Sequence, residues 1–166
     1  MTSASVAHLP IGGPGKSGPS VAHRLRSGDV MRAPADAVTP QTPVAAAATL
    51  LASTGCSGVP VVGAEGQVVG LVTGAELVGQ ELRSAFGSAA GRGGNQVVGD
   101  VMTSEPLLAP SRYDLGALVG LMNAAGVSVV PIVDGHRLVG TVDMRDLVHL
   151  VAASETWVPV SRQASG

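Results

Sequence analysis

The apolar positions of the chain fall into short runs that end at glycine or at polar turns, and these runs predict a definite series of elements. Thr42 and Pro43 predict a helix start, because threonine is a good N-cap and proline is favoured at the first helical position. The apolar segment VAAAATLLAST then predicts a helix that ends at Gly55, a residue suited to the left-handed C-cap. A β-branched strand (GVPVV), a turn (GAEG), a second strand (QVVGLV) and a helix near 74–85 follow.

The same order of elements occurs again in the second half of the chain. The predicted elements there are a helix at 114–125, a strand at 129–133, a turn (DGH), a strand at 137–142 and a helix at 143–152. If a short strand precedes the first helix of each half, near 37–39 and 107–109, both halves are β-α-β-β-α units. The sequence therefore predicts an α+β fold.

Residue identities indicate that the two halves are copies of one unit. The tetrapeptide GDVM stands at 28–31 and again at 99–102, an offset of 71 residues. The offset is kept through the first strand of each half and becomes 70 after one residue is lost in the turn. We infer two repeats, 28–86 and 98–152. Each is too small to be comfortably stable alone, so the two are expected to pack face to face as a pseudo-twofold pair around a cleft.

The segments outside the repeats have a different composition. Residues 1–27 are rich in glycine, proline and serine and are expected to form a flexible N-terminal arm. Residues 87–97 are expected to be a linker, and residues 153–166 a C-terminal tail. The tail holds the only tryptophan, Trp157, which we expect to dock on its own domain.

Composition narrows the classes of function. The chain is 45% apolar but only 2% aromatic, so its core must consist of valine, leucine, alanine and methionine. The net charge is −2 and no lysine follows Lys16, which argues against binding of nucleic acid or an anionic membrane. The uncharged run 115–133 contains Asn123 and Gly126, and is therefore predicted to be a helix, a glycine stop and a strand rather than a membrane span. A lone cysteine, Cys56, excludes an intrachain disulfide and fits a cytoplasmic location.

Neither catalysis nor metal binding is indicated. No serine or cysteine stands in a recognisable arrangement with a base, and the four histidines lack the close spacing of metal ligands. The segment GPGKSG resembles part of a phosphate-binding P-loop, but no strand precedes it and no amphipathic helix follows. We therefore predict that the protein is not an enzyme.

Two segments, GVPVVGAEGQVVGLVTGAEL and VVPIVDGHRLVGTVDMRDL, resemble the CBS (cystathionine β-synthase) domain, and their tandem arrangement resembles a CBS pair, or Bateman module. The resemblance covers about three quarters of the chain and includes DVM at the entry of each repeat. It implies a regulatory module that binds AMP, ADP, ATP, S-adenosylmethionine or a dinucleotide between its repeats, forms a homodimer and needs no cofactor. Any regulated protein would be a separate chain. The family also contains pairs that bind no nucleotide and serve only in dimerisation, which is the alternative function.

The resemblance also implies where a ligand would be held. A threonine or serine after the second strand contacts phosphate in the family, and an aspartate three residues later holds the ribose hydroxyls. These positions correspond to Thr73 and Glu76 in the first repeat and to Asp143 and Asp146 in the second. Glu76 is one methylene longer than aspartate. Asp143 would repel a phosphate if it were not paired, and neighbouring Arg145 is the candidate partner.

Chemistry independent of the family supports these positions. A helix N-terminus offers free amides to a phosphate, and a carboxylate one turn into the helix accepts two hydrogen bonds from a ribose diol. Gly70 and Gly140 would let a ligand approach the strands closely. The alternative is that these glycines serve tight turns and that the acidic residues complement helix dipoles. The residues that the resemblance implies around the base are Thr39, Val59, Pro60, Ala109, Val130 and Pro131.

Overall fold

The computed structural model describes residues 25–86 and 96–153 of the chain. Most of the predicted arm, nearly all of the predicted linker and the tail with Trp157 lie outside the described residues. The predictions for those segments therefore stay predictions.

Five α-helices and six strands make up the described structure. The first part contains α1 (Ser27–Val30), α2 (Val44–Thr54), β1 (Gly58–Val62), β2 (Val68–Thr73) and α3 (Gly74–Phe86). A 3-10 helix (Val98–Asp100) leads into the second part, which contains β3 (Thr103–Ser104), β4 (Ala109–Pro110), α4 (Leu115–Ala125), β5 (Val129–Asp134), β6 (Arg137–Asp143) and α5 (Met144–Ala153). The fold is mixed α and β, with two small sheets, and the predicted helices and paired strands are confirmed. The strand predicted near 37–39 is reduced to an isolated bridge between Val38 and Val61.

The C-terminal end of α2 is capped as predicted, but its N-terminal end is not. Gly55 ends α2 in the left-handed conformation, with φ of 66°, as predicted. The predicted N-cap, Thr42, is wrong, because α2 begins at Val44 and its N-cap is Pro43 in an extended conformation. The hydroxyl of Thr42 instead accepts a hydrogen bond of 3.0 Å from the amide of Thr39, which closes a turn before the helix.

Each sheet is extended at one edge by residues from the other repeat, by the strand β3 in one sheet and by an isolated bridge in the other. One sheet has the order β1-β2-β3, although β3 belongs to the second repeat by sequence; its Ser104 pairs with Gly70. The other has the order β4-β5-β6, and Arg32 of the first repeat bridges to Thr141 at the edge of β6. The entry segment of each repeat is thus exchanged onto its partner.

The repeated GDVM tetrapeptide is the part that makes this exchange. Gly28 donates its amide hydrogen to the carbonyl of Ser111, and Gly99 to that of Pro40, both at 2.8 Å. A Cβ atom at either glycine would lie 2.9 Å or 3.1 Å from the same carbonyl oxygen, so a larger residue would push the segments apart. The aspartate of each copy accepts a hydrogen bond from the backbone amide three residues earlier, at 2.8 and 3.3 Å.

Each repeat has its own hydrophobic core, and the exchanged segments contribute to both. Val98 is fully buried in the core of the first repeat. Leu25, Val30 and Met31 pack against the core of the second. The buried apolar side chains of the described residues are mainly valine, leucine, alanine and methionine, as the composition predicted, with Ile132, Pro60 and Pro131 in addition.

The long uncharged run is divided as predicted. Its first part forms α4, Gly126 ends that helix with φ of 67°, and the remainder forms β5. Within residues 25–86 and 96–153, no helix is both long and apolar enough to cross a membrane.

Candidate functional site

A cleft of about 600 Å³ opens between the two repeats. One wall is the junction of β2 and α3, and the other is the end of α4 with the loop that follows it; residues before β4 close a third side. The lining residues are Ser57, Leu71, Thr73, Gly74, Ala75, Glu76, Thr103, Glu105, Pro106, Leu107, Ala125, Gly126, Val127, Ser128 and Val129. We call this the open cleft.

Thr73 and Glu76 meet on the first wall, as their spacing at a strand–helix junction predicts. Oε2 of Glu76 accepts a hydrogen bond of 2.6 Å from the amide of Thr73 and one of 3.0 Å from its hydroxyl. Oε1 accepts a third hydrogen bond from the hydroxyl of Thr103, which arrives on the exchanged strand β3. The half-buried carboxylate is therefore fixed by donors from both repeats.

A second carboxylate, that of Glu105, stands on the same cleft. Glu105 has φ of 56°, and among the described residues it is the one non-glycine residue with positive φ. This left-handed conformation costs free energy for a residue with a side chain, and such conformations concentrate at functional sites. With Glu76, it gives the open cleft two acidic side chains.

The pseudo-equivalent region on the other side is built around Asp143, which is only 3% exposed. Its carboxylate accepts hydrogen bonds from the amide of Ser57 at 2.7 Å, from the Ser57 hydroxyl at 3.0 Å and from the amide of Arg145 at 2.9 Å. Because Ser57 belongs to the first repeat, Asp143 connects the repeats. The guanidinium of Arg145, the expected partner of Asp143, instead donates to the carbonyl of Gly55.

Arg32 spans this second region, which we call the bridged cleft. Its guanidinium donates to the carbonyl of Thr54 at 3.2 Å, to Sγ of Cys56 at 3.1 Å and to Oδ1 of Asp146 at 2.9 Å. The hydrogen bond to Asp146 is the main cause that raises the pKa of Arg32 above its ordinary value. Asp146, the predicted ribose acceptor, is thus engaged by an arginine of the protein itself.

Sequence reasoning missed Arg32, although the repeat alignment contained a signal. At the offset of 71 residues, Arg32 corresponds to Thr103, and at the offset of 70, Arg145 corresponds to Ala75. The two clefts therefore differ by two cationic side chains at equivalent positions. A comparison of charge between the repeats would have identified this difference.

The residues predicted around the base lie mostly inside the strands. Val59, Pro60, Ala109, Val130 and Pro131 are buried, and none of them is among the residues that line the open cleft. Thr39 is exposed on a turn. A contact of these residues with a bound base stays a prediction.

Gly70 and Gly140 have a role different from the one expected. A Cβ atom at Gly70 would lie 2.5 Å from Sδ of Met102, and one at Gly140 the same distance from Sδ of Met31. The space beside each strand is therefore filled by the methionine of the opposite GDVM segment. It does not admit a ligand, which corrects the expectation for these two positions.

Comparison with known families agrees with this architecture. The family model of the CBS domain matches residues 28–80 and 98–153. The two matches cover more than half of the chain, so the protein belongs to the CBS domain family, and it contains a tandem pair of such domains.

Individual relatives support the same assignment. Inosine-5'-monophosphate dehydrogenase from Thermoplasma acidophilum is 29% identical over 113 residues, which are 67% of this chain but 20% of the dehydrogenase. The chain thus spans about a fifth of the length of this relative. The structure of CBSX2 in complex with AMP has a TM-score of 0.63 and 27% identity, covering 76% of this chain and 96% of that one.

A further solved structure resembles the fold at lower identity. The CBS domain pair of protein MJ0100, in complex with 5'-methylthioadenosine and S-adenosyl-L-methionine, has a TM-score of 0.66 and 21% identity, and covers 77% of this chain and 96% of that one. At this identity the comparison supports the fold alone.

Proposed function

We propose that the protein is a regulatory module that binds an adenosine-containing metabolite (AMP, ADP, ATP, S-adenosylmethionine or a related compound) in the open cleft. The observation that carries the proposal is the carboxylate of Glu76, held in a cleft between the two repeats. A carboxylate has about four acceptor positions and Glu76 uses three of them within the protein, so one hydroxyl of a ribose diol can donate to it directly. The volume of about 600 Å³ lies within the usual range of small-molecule sites.

The position of the cleft suits a regulatory role. Its walls belong to different repeats, and Glu76 already joins them through Thr103. A ligand that contacts both walls would favour one packing of the repeats over another. The ligand can shift the activity of a partner protein only as far as its affinity differs between the two arrangements of the repeats. The regulated protein would be a separate chain, the module itself would perform no catalysis, and both would be cytoplasmic.

The exposed faces of α3 and α5 support assembly into a homodimer. Val78 is 58% exposed and Val148 is 61% exposed, and the two valines occupy equivalent positions in the repeats. Leu150, also on α5, is 42% exposed. Exposed aliphatic side chains on both helices favour contact with a second copy of the chain, whose own pair of helices would offer the same surface. A dimerisation module without a ligand is the second candidate function.

The sensor proposal predicts a thermal shift that depends on Glu76. In a panel of adenosine ligands at millimolar concentration, a ligand at 100 times its Kd stabilises by about 2.7 kcal/mol. For a chain of this size, we expect the Tm to rise by roughly 5–10 °C. Replacing Glu76 by alanine should remove the shift, because the ribose acceptor is lost.

Glu65→Gln is the matched control, since Glu65 is an exposed acidic residue on the β1–β2 turn and does not line the cleft. This variant should respond to the ligand as the wild type does. A flat response of the wild type across the panel would contradict the sensor proposal and favour the dimerisation module.

The dimer proposal predicts a change of mass on substitution of the two valines. Sedimentation equilibrium of the wild type should give twice the chain mass of 16.4 kDa. The double variant Val78→Asp, Val148→Asp should sediment as a monomer, because two carboxylates per chain would be placed in an apolar contact. Ala45→Asp, an exposed substitution on α2, should leave the dimer intact. A monomeric wild type would exclude the homodimer.

A further inference from the structure

The charged side chains that line the open cleft are all acidic. Two of its lining residues, Glu76 and Glu105, are acidic. No lysine, arginine or histidine is among the lining residues in the part of the chain that the structure describes. A phosphorylated ligand would therefore bring its negative charges next to two carboxylates without a cationic side chain to balance them.

Two of the backbone donors at the start of α3 are already in use. The amide of Thr73, at the start of α3, donates to the carboxylate of Glu76 at 2.6 Å, and the Thr73 hydroxyl donates to the same oxygen. The next amide, that of Gly74, donates to the carbonyl of Ser57 at 3.3 Å. The start of a helix usually attracts a phosphate, but at the start of α3 the carboxylate of Glu76 lies beside these donors and adds a negative charge.

The bridged cleft shows by contrast what the open cleft lacks. Arg32 and Arg145 carry positive charge there, whereas Thr103 and Ala75 take the equivalent positions in the open cleft. The two repeats have diverged so that the cationic groups lie on the side where they bond to the protein itself.

We propose that the open cleft selects adenosine ligands without phosphate, either neutral or cationic, over adenosine nucleotides. This inference rests on the proposed function, since it concerns the ligand class of the same cleft. The positive sulfonium of S-adenosylmethionine is attracted by Glu76 and Glu105, whereas the two negative charges of AMP are repelled. Unit charges a few ångströms apart in a solvated cleft change affinity several-fold per pair, so we expect AMP to bind about tenfold or more weakly than adenosine.

The test uses ligands that differ in one group. Isothermal titration calorimetry on the purified full-length chain compares adenosine with AMP, and S-adenosylhomocysteine with S-adenosylmethionine. The second pair differs by a methyl group and its positive charge. Adenosine should bind more tightly than AMP, and S-adenosylmethionine more tightly than S-adenosylhomocysteine. Both differences should shrink as the salt concentration rises.

Variants of Glu105 test whether the cleft charge is the cause. Glu105 is exposed, so its replacement should leave the fold intact. Glu105→Gln should reduce the difference in affinity between adenosine and AMP, and Glu105→Lys should reduce this difference further. Glu65→Lys changes the net charge of the protein by the same amount outside the cleft and should leave this difference as it is.

The outcomes separate this inference from the proposed function. Binding of AMP as tightly as adenosine would overturn the charge selection and leave the sensor proposal standing. A difference in affinity between adenosine and AMP that Glu105→Lys does not change would also overturn it. If ADP or ATP, titrated in the same way, binds and none of the four ligands does, the charge selection is overturned and the sensor proposal stands. If none of the six compounds binds, the proposed function fails and this inference fails with it.

Discussion

Either repeat expressed alone is expected to remain unfolded, whereas the two fragments should fold when they are mixed. A cut between residues 90 and 91 separates the repeats but also separates each entry segment from the core against which it packs. The first fragment loses Val98, which is fully buried in its core, and the strand β3. The second loses the segment 25–32, which packs on its core and bridges to β6. A unit of about 60 residues has no surplus of buried surface to compensate for such losses.

Far-UV circular dichroism and thermal melting measure this effect directly. Fragments 1–90 and 91–166 should each lack a cooperative transition, and an equimolar mixture should regain the spectrum and melting of the intact chain. A fragment that ends at residue 104 is the matched control. Since it carries Val98 and β3, it should be more ordered than fragment 1–90. A sharp cooperative transition of fragment 1–90 would show that the exchanged segment is not needed.

Local features of the fold could be predicted because the residues that fix them are close in sequence. Gly55 and Gly126 end helices at the positions that the pattern gave, since a left-handed C-cap depends only on the residue and the helix before it. The start of α2 was placed one residue too early, because Thr42 uses its hydroxyl in a turn with Thr39. The exchange of the GDVM segments could not be predicted, since periodicity does not say which of two similar cores a segment covers.

The same distinction applies to the candidate site. Thr73 and Glu76 are three residues apart at a strand–helix junction, so their contact follows from local geometry. Arg32 and Asp146 are 114 residues apart, and their ion pair depends on the relative placement of the repeats. The family's ligand motif also does not include Arg32, because Arg32 directly follows the GDVM segment at the start of the repeat.

The open cleft and the bridged cleft differ in the side-chain hydrogen bonds that join their two walls. In the bridged cleft, hydrogen bonds between the repeats join Arg32 to Asp146, Asp143 to Ser57 and Arg145 to Gly55. In the open cleft, Glu76 joins the repeats through Thr103 and faces free volume. One cleft is thus joined across its walls by several side chains of the protein, whereas the other keeps a volume of about 600 Å³.

Replacing Asp143 by alanine is expected to lower the free energy of unfolding by about 3 kcal/mol, because buried donors lose a charged acceptor. The amides of Ser57 and Arg145 and the hydroxyl of Ser57 would all lose their partner. For a chain of this size, the loss corresponds to a decrease in Tm of roughly 6–12 °C. Urea unfolding followed by circular dichroism gives the free energy, and an unchanged m-value would show that the denatured state is not affected.

Two further variants test whether the loss arises between the repeats. Thr73→Ala, at the equivalent position of the open cleft, should cost about 1 kcal/mol or less, because Thr73 is half-buried and bonds only within its own repeat. Ser57→Ala combined with Asp143→Ala should cost less than the sum of the single changes, since both remove the same hydrogen bond. If the two losses add fully, the bond between Ser57 and Asp143 does not stabilise the pair. The packing of the repeats would then depend on their other contacts, among them the exchanged GDVM segments.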